Sequence, residues 1–147
     1  MKQFNTKNRF HESEVEMSES CKHHRGIVSK PFSAHLPFSP AVTFGPFVFV
    51  SGIVGRNFST GEIAKGDIEA QTRQAMENIR AQLELAGSSL DRVLKVTVFI
   101  TDMKLFGRMN EAYCSFFEGD YPARSCAEVS AVPDPEAMVE IECIASH

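Results

Sequence analysis

The sequence predicts an α+β fold: one domain with a mixed sheet and two helices packed on one face. Three observations carry this. Residues 40–53, 93–101 and 124–145 are rich in the β-branched and aromatic residues that favour strands. Two stretches, opening at Asp67 and Asp102, repeat apolar residues at helical spacing. The resulting order, β-β-(β)-α-β-α-β-β, places a strand-helix-strand crossover ahead of a second helix and a hairpin. A chain of 147 residues suits one domain and can bury a sizeable core.

Residues 1–29 are polar, charged and non-periodic, and read as an arm outside a core domain at 30–147. Gly45-Pro46 punctuates two strands, at 40–44 and 47–53. Phe47-Val48-Phe49-Val50 is continuously apolar, which predicts burial on both faces. Ser59-Thr60-Gly61-Glu62 is a turn, and Ile63 belongs to a short extended piece. Asp67 is placed to cap the first helix, whose stripe is Ile68, Thr72, Ala75, Met76, Ile79, Leu83 and Ala86. Gly87 supplies its left-handed end. Val93–Thr101 reads as an interior strand. Asp102 caps a second helix over 103–118, ended by Gly119. The last 25 residues read as a hairpin, 124–132 and 138–145, turning at Pro133-Asp134-Pro135. The sheet face away from the helices carries apolar residues too, which points to self-association.

Composition narrows the function. The net charge is −4 and the pI about 5.7, a poor footing for binding polyanions. No apolar run approaches the ~20 residues needed to span a bilayer, so no membrane role is expected. The N-terminus lacks an apolar secretory core, and Glu12, Glu14, Glu16 and Glu19 disfavour a transit peptide. Cys21, Cys114, Cys126 and Cys143 form no CxxC pair, and read as reduced thiols of a cytoplasmic protein. Cys21-Lys22-His23-His24, with His11, matches no common zinc spacing, so no metal site is assigned.

The segment most suited to chemistry is Tyr121-Pro122-Ala123-Arg124-Ser125-Cys126. A guanidinium opening a mostly uncharged strand calls for a carboxylate, which its planar fork grips through two hydrogen bonds. Parity within a simple hairpin places Arg124, Cys126, Glu128, Glu140 and Glu142 on one face. From pattern alone the plainer alternative is a cross-strand ion-pair network on an exposed face. A free Cys such as Cys126 is usually a small buried hydrophobe, and Asn110 a solvated helix residue. Ser51-Gly52 marks either a tight bend or a place where backbone meets a ligand.

Together these segments resemble the RidA (reactive intermediate/imine deaminase, also called YjgF) family. The resemblance rests on Pro37-Phe38-Ser39-Pro40-Ala41-Val42, Val48-Phe49-Val50-Ser51-Gly52, Gly66–Gln74, Ala86–Leu90, Val96–Met103, Asn110-Glu111-Ala112-Tyr113, Pro122–Cys126 and Val139-Glu140-Ile141-Glu142, in the family's order. It implies a chorismate-mutase-like fold, a homotrimer with ligand clefts between subunits, and no metal or organic cofactor. It implies hydrolysis of small 2-imino or 2-enamino acids to 2-oxo acids and ammonia. Arg124 would bind the substrate carboxylate and Glu140 would activate water, with Phe38, Ser51, Gly52, Asn110 and Cys126 lining the pocket. The family's spacing favours Glu140 over its strand neighbour Glu142. The chain departs from the family at Phe38, usually Tyr, and Pro40, usually Gln, which removes a phenol donor. Ile53-Val54-Gly55 departs as well. Two other functions follow from the resemblance: a non-catalytic ligand-binding regulatory trimer, and a ribonuclease or translation inhibitor. The acidic pI counts against nucleic acid.

Overall fold

In a computed structural model, residues 37–147 are described; the arm and the Cys21–His24 stretch lie outside them. β1 (Ala41–Phe44) turns through Gly45, whose φ of 55° suits a residue without Cβ, into β2 (Phe47–Val54). A loop tied back by the Arg56–Ile63 bridge leads to α1 (Ile68–Leu85). A single 3₁₀ turn precedes β3 (Val93–Ile100), and a second one, at Met103–Leu105, precedes α2 (Phe106–Cys114). β4 (Ala123–Glu128) and β5 (Val139–Ser146) complete the chain.

The five strands form one mixed sheet in the order β1-β2-β5-β3-β4. β3 and β4 run parallel; all other pairs are antiparallel. The expected C-terminal hairpin is therefore absent. β4 pairs with β3 at the sheet edge, while β5 inserts between β2 and β3. The Pro133-Asp134-Pro135 stretch is part of a long connection carrying the chain over β3, not a two-strand turn. Arg56 holds that connection by donating to the Asp134 carboxylate and to the Gly61 carbonyl.

β5 alternates strictly. Val139, Ile141, Cys143 and Ala145 are buried, and Glu140, Glu142, Ile144 and Ser146 face the other way. The buried set meets Ile68, Met76, Ile79 and Leu83 of α1 and Met109 of α2 in the main core. Each fully buried aliphatic side chain contributes ~1.5–3 kcal/mol on leaving water.

Over Phe47–Val50, β2 is buried on this side only. Val48 and Val50 are in the core, whereas Phe47 and Phe49 remain about 40% exposed, so the expectation of burial on both faces fails for one chain. Val42 and Phe44 pair with these phenylalanines and extend an apolar area across that end of the open face. The other end is covered by Ile63, Val132 and Ala137, packed on Val54 and Phe99.

Helix ends differ from expectation at two places. Asp67 takes the N-cap position of α1 but makes no capping bond; its carboxylate instead accepts from Arg108 of α2. Asp102 does cap, accepting from the Lys104 amide at 2.9 Å, but it caps the 3₁₀ turn, and α2 proper ends at Cys114. Gly87 closes α1 with φ of 77°, and the Ser88 amide donates to the Leu83 carbonyl.

Candidate functional site

Strand register fixes where the candidate residues point. Residues paired directly across a sheet share a face. Arg124 pairs with Val96, and Val96 with Cys143; Cys126 pairs with Val98, and Val98 with Ile141. All four partners belong to the buried helix side, so Arg124 and Cys126 lie there too. Glu140 pairs with Phe99 and with Val54, and Glu142 with Thr97, all on the open side. The one-face arrangement expected from hairpin parity is thus wrong: inserting β3 between the two strands sets Arg124 and the glutamates on opposite faces. The cross-strand ion-pair alternative fails for the same reason. No ion pair to Arg124 forms among the described residues.

Around Arg124 the helix side builds a holder for a guanidinium. Asn110 Oδ1 accepts from Nη2 at 2.6 Å. The Tyr113 ring centroid lies 4.6 Å from Cζ, and the Phe106 centroid 5.7 Å away. Asn110, Tyr113 and Phe106 come from α2 at i, i+3 and i−4, one helical face. Cys126, two residues along β4, shares this side; burial pushes its thiol pKa up, against the pull of Arg124. The arrangement fixes one edge of the fork and, among the described residues, leaves the charge without a carboxylate, as anion binding requires.

On the open face the unit is Glu140 with Ser51-Gly52. The β2–β5 register slips between Val50 and Ile53, and Ser51-Gly52 sits in that irregularity. A Cβ on Gly52 would lie 2.7 Å from Glu140 Cδ and 3.1 Å from Cγ, so only a bare backbone lets the carboxylate lie there. Ser51 Oγ donates to the Ser39 carbonyl at 2.7 Å, and its amide donates to the Pro40 carbonyl at 2.9 Å. These bonds bring the Phe38 segment alongside, with the Phe38 ring half exposed.

Burial between Val54 and Phe99, and then the negative charge of Glu142, raise the Glu140 carboxyl above the ordinary carboxylate range. α1 aims this strand: Gln71 Nε2 donates to the Glu136 carbonyl at 3.0 Å, and its Oε1 accepts from the Met138 amide at 2.7 Å.

A cavity of about 300 Å³ on the same face is lined by Val42, Phe49, Ser51, Lys95, Thr97 and Glu142. It includes neither Glu140 nor Arg124.

The structure therefore brings Arg124, Asn110 and Cys126 together, and separately Ser51, Gly52 and Glu140, with Phe38 next to the Ser39–Pro40 backbone that Ser51 bonds. It does not join the two groups within one chain. Sequence reading did not single out Tyr113 and Phe106 as partners of Arg124. Their i+3 and i−4 spacing from Asn110 was the available signal.

The Endoribonuclease L-PSP family profile matches residues 28–147. The chain belongs to this family, the RidA/YjgF family. Among its relatives, a RutC family protein of Pyrococcus horikoshii is 50% identical over 109 residues, covering 74% of this chain and 86% of its own. The mouse 2-iminobutanoate/2-iminopropanoate deaminase is 38% identical, covering 74% of this chain and 80% of its own. The crystal structure of Escherichia coli TdcF with bound serine superposes with a TM-score of 0.72 at 37% identity, over 83% of this chain and 91% of that one. RidA from a Psychrobacter species gives 0.73 at 38% identity, over 78% and 92%. The mixed five-stranded sheet with two helices is the RidA-family fold.

Proposed function

We propose that this protein hydrolyses small 2-imino or 2-enamino acids to 2-oxo acids and ammonia, at sites completed between the subunits of a homotrimer. The observation that carries the reading is the Arg124 fork, held by Asn110 and two aromatic rings and lacking any carboxylate partner among the described residues. Relatives named as imine deaminases, and a neighbour holding serine, a carboxylate-bearing molecule, support it.

Arg124 grips the substrate carboxylate through two charge-assisted hydrogen bonds. Glu140 of an adjoining copy accepts a proton from water as the water oxygen bonds to the imine carbon. Glu140 returns that proton to nitrogen, leaving a carbon that carries hydroxyl and amine. It then takes the hydroxyl proton and passes it to the amine as the C–N bond breaks, so that ammonia leaves and the oxygen stays as the 2-oxo group. A raised carboxyl pKa suits a group that must both take and give a proton near neutrality. Two halves on opposite faces of one sheet require a second copy, and the exposed apolar end of the open face gives it a surface to pack on.

Ammonia release from enzymatically generated 2-imino acids tests the reading. Glu140→Gln lowers kcat by about 10²–10⁴-fold while 2-oxo acid binding stays intact. Arg124→Lys loses one bond of the fork, weakening binding by about 1.5–3 kcal/mol. Full turnover in Glu140→Gln with loss in Glu142→Gln transfers the role to Glu142. Carboxylate binding without ammonia release from any imine supports the second reading, a ligand-binding trimer, which the missing phenol at Phe38 favours.

A further inference from the structure

We propose that Tyr113 is a positioning residue, whose ring face is the platform that holds the Arg124 guanidinium in the orientation a substrate carboxylate needs. This rests on the reading of Arg124 as the carboxylate grip, and assigns a role to a side chain that touches no substrate.

Tyr113 is 2% exposed, yet it is more than core filling. Its ring centroid stands 4.6 Å from Arg124 Cζ, well inside the range in which a ring's negative face attracts a cation. Phe117, one turn further along, braces the ring from a centroid distance of 5.0 Å. Phe117 in turn meets Tyr121 at 6.0 Å, two residues before β4 begins. The platform is thus tied at one end to α2 and at the other to the strand that carries Arg124.

The phenol itself makes no hydrogen bond among the described residues, so the ring and not the hydroxyl makes the contact. Burial pushes its pKa up to about 12 and keeps it neutral at any physiological pH. A phenolate beneath Arg124 would neutralise the charge that a substrate is to use. A neutral ring supports the guanidinium without competing for it. Asn110 fixes rotation of the fork within its plane by accepting from Nη2, and Tyr113 fixes the plane. An Arg side chain loses much rotamer freedom when ordered, so a fork ordered before the ligand arrives binds more tightly.

The test is calorimetric binding of 2-oxobutanoate and of its uncharged amide to the full chain, with melting temperatures measured alongside. Tyr113→Leu weakens 2-oxobutanoate binding about tenfold, the size a partly desolvated cation–ring contact supports, and leaves the amide unchanged. Tyr113→Phe keeps the ring and restores the carboxylate affinity to within about twofold. If the Leu variant does not fold, Tyr113→Met, an unbranched side chain without a ring, gives the same comparison. A merely structural role lowers the melting temperature and weakens both ligands alike, which overturns the proposal. So does an equal loss in the Phe variant, which would assign the effect to the hydroxyl. Arg124→Lys separates the two readings. If it binds 2-oxobutanoate as the wild type does, the carboxylate-grip reading falls. If it loses the ligand while Tyr113→Leu and Tyr113→Met keep it, only the platform falls.

Discussion

Gly52→Ala adds one carbon to the place where Glu140 lies. A Cβ there stands 2.7 Å from Glu140 Cδ and 3.1 Å from Cγ, with Oε1 nearer still. Restoring an ordinary contact of 3.4 Å moves Cδ by about 0.7 Å and the carboxylate oxygen further. Gly52 needs no positive φ, so Ala is not strained by its own backbone. Glu140 is the end of a flexible side chain, so the fold yields locally. The expected result is a protein that melts within a few degrees of wild type, with the Glu140 carboxylate, the proposed proton-transfer group, displaced by about 1 Å. Misplacement on that scale costs on the order of 10²-fold in rate. Ammonia release from 2-iminobutanoate measures kcat, and calorimetry with 2-oxobutanoate measures the carboxylate grip, which Gly52 does not touch. A Gly52→Ala variant with wild-type kcat would refute the placement of Glu140 at the reacting centre. A variant that loses 2-oxo acid binding and turnover equally would refute the division of the site into two halves.

Three further outcomes follow from the structure. Gly55→Ala places its Cβ 2.7 Å from Gln71 Cα and 2.9 Å from its carbonyl carbon, which are helix backbone and cannot swing aside. It should cost about 1–3 kcal/mol in urea unfolding, and an unchanged midpoint would show that α1 slides freely over β2. Glu140 carries a pKa raised by burial and then by Glu142, so the folded protein holds that proton more firmly than the unfolded chain. Its charge therefore opposes folding above the raised pKa, and the penalty disappears as pH falls below the unfolded value of ~4.3. Glu140→Gln should melt at or above wild type at pH 7, with the gap closing towards pH 4; a gap widening on acidification contradicts the burial argument. The acid limb of kcat/KM should likewise sit above ~4.3 and move down in Glu142→Gln; a limb at or below that value removes Glu140 as the base.

What was legible in the sequence was local. The two strands around Gly45, the α1 stripe, the Gly87 terminus and β3 all follow from periodicity and punctuation within a dozen residues, and each stands as read. Strand neighbours were not legible. β4 and β5 are consecutive in sequence, and a proline-rich stretch between them has the composition of a turn. Their separation is decided by β2 and β3, which together offer β5 two partners, and by Arg56 holding Asp134 from 78 residues away. That one error reversed the face of Arg124 relative to Glu140. Alternation placed Glu140 and Glu142 together correctly, since it needs no partner. Tyr113 and Phe106 were hidden because an aromatic on a helix stripe looks the same whether it packs on leucine or under a guanidinium. Phe47 and Phe49 misled for a related reason: an apolar run shows that a strand avoids water, but not whether its own chain or another copy covers it.

The central place of β5 has a consequence for how the protein is made. Before residues 139–146 emerge from the ribosome, the β1–β2 ladder and the β3–β4 ladder have no strand between them. Each presents a row of unsatisfied amides and carbonyls to the other across a gap one strand wide. Both ladders precede β5 in the sequence, but they cannot join into this one sheet until residues 139–146 have emerged. Glu140 travels on the strand that closes the gap, so the proposed proton-transfer group and the finished sheet come into being in the same step. A chain stopped before Val139 should stay expanded by size-exclusion chromatography; a compact, cooperatively melting product would show that the two ladders join without it.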